Sequence, residues 1–220
     1  MKKFLTLLTL FLTISITYGQ EGDTNDFWEN LRLNAAVTLG DYTFSSDTQD
    51  VEIEYSYGIG FLLGLDYDLL KKDRLTVGTG LTLTNHNSSI DQPDLGLDIK
   101  YTTYWVGTHA QADYQLIEDK LSAGLGLFVD YGIAGTQKSE GSDKVDLFKK
   151  IDGNDAPYKS INYGLTAKVS YVMSWTDFAD DIYIGYRLGL ANIEGGDSDT
   201  QTTKTGMFVI GVRANLDELF

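Results

Sequence analysis

From residue 31 onward the chain repeats one pattern, in which large apolar residues alternate with glycine, small polar or charged residues. An extended strand sends successive side chains to opposite faces, so a period of two predicts strands with two chemically different surfaces. Residues 31–40 set Leu31, Leu33, Ala35, Val37 and Leu39 against Arg32, Asn34, Ala36, Thr38 and Gly40. The pattern returns over 55–69 and 75–86, and more weakly where Tyr104, Val106, Ala110, Ala112 and Tyr114 oppose Thr103, His109, Gln111, Asp113 and Gln115. It returns again over 121–132, 161–175, 182–190 and 208–217. Eight such segments are an even number of antiparallel strands, which can close on themselves and leave no free edge.

The charges say which face points outward. Asp66, Asp68, Asp113, Asp130, Arg32, Lys168, Arg187 and Arg213 all fall on the small-residue face, as does His109. That is where charge must go if the other face meets lipid. A tilted strand crosses a bilayer in about 9–11 residues, close to the length of most of these segments. Links two-to-three, four-to-five and six-to-seven are short (LLKKDR, LIEDK, WTDFADD), whereas the alternate links are longer and polar, the third running over about 134–160. Large-face aromatics gather near the strand ends: Tyr55, Tyr57, Tyr131 and Tyr163 toward the long loops, Tyr67, Tyr114 and Trp175 toward the turns. Such rings settle at membrane interfaces. The expectation is all-β: an eight-stranded antiparallel up-and-down transmembrane barrel of small size, with both termini on the periplasmic, short-turn side. A soluble ligand-binding barrel would reverse the two faces, and its exterior would then be rich in glycine.

The first 19 residues fit a secretory signal peptide, with Lys2 and Lys3 before an apolar run and small residues Thr17 and Gly19 at the expected cleavage site. Residues 20–30 are then a short periplasmic segment and 31–220 the barrel domain. The absence of cysteine argues against a lipoprotein anchor, disulfides and thiol chemistry. Of 17 basic and 32 acidic residues, loss of Lys2 and Lys3 leaves 15 against 32, a balance that argues against nucleic acid. Phe220 ends the chain in register with the outward face of the last strand. It resembles the terminal aromatic signal by which barrel-assembly machinery recognises outer-membrane proteins for insertion.

The segments KLSAGLGLFVDYGIAGTQK (120–138) and DLFKKIDGNDAPYKSINYGLTAKVSY (146–171) resemble the PorT-like outer-membrane β-barrel family of Bacteroidota. The first is similar to that family's fifth strand, the second to its third loop returning into the sixth. The family's usual proline is missing from YTTYWVGTHAQADYQL (101–116). The resemblance implies fold and outer-membrane location, and it brings no catalytic residues.

An eight-stranded barrel is narrow enough for its own side chains to fill. The inward charges therefore suggest a lumen plugged by ion pairs rather than an open pore. An enzymatic alternative, lipid-modifying or proteolytic, rests on His86 near Ser88, Ser89 and Asp91 at the outer end of strand three. Nearness in sequence is poor evidence for a triad, because triads assemble from distant segments. The acidic loops SSDTQDVE and IEGGDSDTQTTK, with DGND and GGDSD, lack the full spacing of a calcium loop, so no metal is expected. What remains is a monomeric, non-enzymatic barrel without a cofactor, in contact with outer-membrane lipid. Its third loop, carrying Lys138, Lys144, Lys149 and Lys150 among several acids, is free to meet a surface partner or lipopolysaccharide.

Overall fold

The computed structural model describes residues 24–46, 55–92, 97–139, 141–150, 155–175, 179–195 and 201–217. The expected signal peptide and Phe220 lie outside the described residues.

A short helix α1 (Thr24–Glu29) leads into the strands β1 (Leu31–Ser46), β2 (Ser56–Lys72), β3 (Leu75–Gln92), β4 (Leu97–Ile117) and β5 (Leu121–Ser139). After these come a two-residue strand β6 (Val145–Asp146), then β7 (Ile161–Val172), β8 (Asp181–Gly189) and β9 (Gln201–Asn215). Each long strand pairs antiparallel with its neighbour, β1 pairs with β9, and β4 with β5, so the eight long strands form a closed ring. Closure satisfies the backbone hydrogen bonds laterally and leaves no edge to template aggregation.

The faces divide as the alternation requires. Ile59 and Leu125, each 71% exposed, and Ile184, 61% exposed, stand outside with Leu63, Leu127, Val169 and Ile210. Asp66, Asp68, Asp130, Arg187 and Arg213 are buried within. The barrel is thus inverted relative to a soluble one, with its apolar residues outward. Tyr57, Tyr104 and Tyr163 are exposed toward the long-loop end; Trp28, Tyr114, Tyr171 and Trp175 are exposed toward the other. At that second end the turns are tight. β2 and β3 are joined by Asp73 and Arg74, and Asp73 (φ 51°) and Asp119 (φ 53°) take the left-handed conformation that aspartate tolerates in turns. No helix among the described residues is long and apolar enough to cross a membrane.

Strand lengths are unequal. β3, β4 and β5 run to 18, 21 and 19 residues, whereas β7 has 12 and β8 only 9. Most strands overrun the segments legible by alternation toward the long-loop end, leaving a notch above β7 and β8. The loop expected over 134–160 therefore begins later, since β5 continues to Ser139, and it contributes β6 to the wall. Two further expectations change. The sixth segment ends at Val172, so Met173 turns inward and is buried. Tyr55 precedes β2 and packs toward the interior against Tyr42 and Tyr101 instead of joining the outer girdle.

Candidate functional site

The interior has two storeys. Near the short turns it is ionic. Arg187 Nη2 contacts both carboxylate oxygens of Asp130 at 3.1 and 2.9 Å, while its guanidinium lies 4.1 Å from the centre of the Phe128 ring. Arg213 binds Asp181 through Nε (3.0 Å) and Nη2 (2.9 Å), and its Nη1 stands 3.4 Å from Asp113. Lys168 reaches the same Asp113 at 3.3 Å. Arg32 meets Asp68 at 2.7 Å, and His109 Nε2 stands 3.5 Å from Asp66 Oδ1. All nine lumenal residues expected from the alternation point into one interior; seven stand beside an oppositely charged side chain, and Asp66 lies beside His109 and accepts from Asn34 Nδ2 at 3.2 Å. Asp181 is a further member, hidden from sequence reading because it belongs to an acidic turn run at the very start of β8.

Two cavities interrupt this network. One of about 50 Å³ lies among Asn34, Asp66, Thr82, His109, Lys168 and Tyr183. Asp66 Oδ1 and Thr82 Oγ1 have no protein hydrogen-bond partner, and a polar space of this size suits water. Another of about 250 Å³ opens at the short-turn mouth among Arg32, Asp113, Ser122, Asp181 and Arg213.

Above the charges the lumen is aromatic. Tyr42, Tyr101, Trp105 and Tyr158 are buried with Ile90, Leu147 and Ile193. Trp105 is 2% exposed; its Nε1 donates to Thr103 Oγ1 at 2.8 Å, and its ring meets Phe148 edge-on at 5.1 Å. Burial raises the pKa of the Tyr158 hydroxyl, and the neighbouring tyrosines and Glu194 add to it. Loop residues complete the wall over the notch. Leu147 N donates to Gly135 O, Tyr158 N to Leu147 O, Lys159 N to Ile193 O, and Ile193 N to Thr203 O, all within 2.7–3.0 Å. Glu194 accepts from the Thr203 hydroxyl. Gly132 is required here, because the Phe148 ring occupies the space a Cβ would fill.

Outside that mended wall runs a groove of about 850 Å³, between Tyr131, Ile161 and Tyr163 below and Lys150, Lys159 and Asn192 above. Phe148 and Tyr158 reach it from the interior side.

His86 and Ser88 do not form a loop site, because residues 75–92 are strand throughout. His86 is buried and stacked on Tyr42 at 4.5 Å, and Ser88 donates to the Ser56 carbonyl at 3.0 Å. Among the described residues, no group of acidic, histidine or cysteine side chains could hold a metal ion.

No protein-family model matches the chain, and no curated protein is significantly similar to it. Among solved structures it is similar to the outer membrane protein OprG from Pseudomonas aeruginosa, at 10% identity and a TM-score of 0.44, over 84% of this chain and 95% of that one. It is similar to Ail, the attachment invasion locus protein of Yersinia pestis, at 13% identity and a TM-score of 0.42, over 84% and 99% of the two chains. The outer membrane protein AlkL in lipid bilayers is a third, at 11% identity and a TM-score of 0.35, over 84% and 90%.

Proposed function

We propose that this chain is a small, non-enzymatic outer-membrane barrel whose lumen is plugged and whose long-loop end serves a structural or surface-interaction role. One observation carries the reading: the exposed wall is a belt of Leu, Ile and Val, while among the described residues the lumenal Arg, Lys and Asp side chains have partners inside. In water such a belt would drive aggregation; in lipid it is the stable arrangement. The plug reading is supported by a buried aromatic layer stacked on an ionic one among the described residues.

On this reading residues 1–19 are cleaved on export, both termini face the periplasm, and Phe220 engages the barrel-assembly machinery. The PorT-like resemblance of 120–138 and 146–171 fits this role. The protein acts as a monomer without cofactor or nucleic acid, and the 134–160 segment is the surface offered to a partner. The test is to express the chain, isolate outer membranes and compare gel migration before and after boiling, with the N-terminus read by mass. A heat-dependent shift in the membrane fraction is expected; a soluble periplasmic product with no shift would overturn the proposal.

A further inference from the structure

The wall is weakest where β7 and β8 stop short, and the 850 Å³ groove lies against that place. Its lower lining, Tyr131, Ile161 and Tyr163, continues the apolar belt, with Ile161 57% and Tyr163 51% exposed. Its upper lining carries Lys150 and Lys159. Lys150 is bridged to Asp155 at 2.7 Å, whereas the exposed Lys159 ammonium has no acidic partner among the described residues. Lys159 is fixed at its backbone by the bond to Ile193 O, which holds its side chain at the groove. In a chain of net charge −15, a lipid-facing hollow whose described lining carries Lys150 and Lys159 against the single acid Asp155 has a local excess of positive charge.

We infer that this groove is a binding site for an anionic phospholipid of the surrounding leaflet, its acyl chain laid on Tyr131, Ile161 and Tyr163 and its phosphate held by Lys159, with Lys150 released from Asp155 to assist. The charge complementarity selects an anionic head, and the continuity with the apolar belt selects a membrane lipid over a soluble anion. The inference rests on the membrane reading above. Trp105 gives it a reporter, because its ring touches Phe148 and Phe148 lines the groove. The other two tryptophans, Trp28 and Trp175, lie at the opposite end.

The experiment uses the full barrel carrying Trp28→Phe and Trp175→Phe, reconstituted in phosphatidylcholine vesicles with a minority of phosphatidylglycerol. Bromine is placed on the chains of one lipid or the other. Brominated phosphatidylglycerol should quench Trp105 more per lipid than brominated phosphatidylcholine. Lys159→Gln should cut that preference about five-fold, the worth of one lysine at an anionic membrane surface. Lys204→Gln, on exposed β9, should leave it unchanged. Equal quenching by both lipids, or equal effects of Lys159→Gln and Lys204→Gln, would overturn the site. The gel shift on boiling the same samples keeps the two ideas apart: shift without lipid preference removes the site alone, and loss of the shift removes the membrane reading.

Discussion

The two storeys of the lumen are filled by opposite chemistry. Below, the buried Arg187 and Arg213 and the half-buried Lys168 and Arg32 are each held by aspartates projecting from neighbouring or facing strands, all from regular positions of the ladder. Above, Trp105, Tyr42, Tyr101 and Tyr158 pack with Leu147 and Ile193, and part of that layer comes from loops. Buried ion pairs are tolerated when every member is matched and are costly when one is removed. Aromatic packing depends instead on area and fit, so it can be assembled from irregular segments. The lower storey therefore fixes the barrel's register, and the upper storey fixes its loops.

The sharpest way to break that contrast is Asp130→Ala, which leaves Arg187 buried without its bidentate partner. A loss of about 3–5 kcal/mol in urea unfolding from lipid vesicles is expected, with most of it regained by adding Arg187→Met. Trp105→Ala should cost about 3 kcal/mol, since the loops can settle into part of the space. Its mark would be faster proteolysis within 140–160 while the heat-dependent shift on gels survives. Gly132→Ala forces the Phe148 ring aside and should cost about 1–2 kcal/mol, with the same loop-selective loosening. Smallest of all, Lys150→Gln breaks an exposed pair and should leave the unfolding midpoint where it was.

How far the sequence was legible follows the same division. The lower storey is written in strict alternation, so parity alone places Arg32, Asp66, Asp113, Lys168 and Arg187 together inside. The upper storey breaks that code. Trp105 and Tyr42 are large residues on the small-residue face, where bulk is not expected. Leu147, Tyr158 and Ile193 are single apolar residues in polar loops with no periodicity to mark them, and they are buried by the tertiary notch above two short strands. Strand ends suffered for a related reason: past the apolar belt, the outward face of β3, β4 and β5 becomes polar, as at Ser89, Lys100, Thr102, Thr136 and Lys138, while the ladder bonds continue.

The central claim is that the large-residue face meets lipid. The chain has no cysteine, so single spin labels can be placed at Leu125→Cys, Ile184→Cys and Ile210→Cys, with Lys144→Cys in the loop as reference. In native-like bilayers the three wall sites should be more accessible to dissolved oxygen than to a water-soluble nickel chelate, and the loop site the reverse. If the chelate reached the wall labels as readily as the loop label, that face would be meeting water and the account would be wrong.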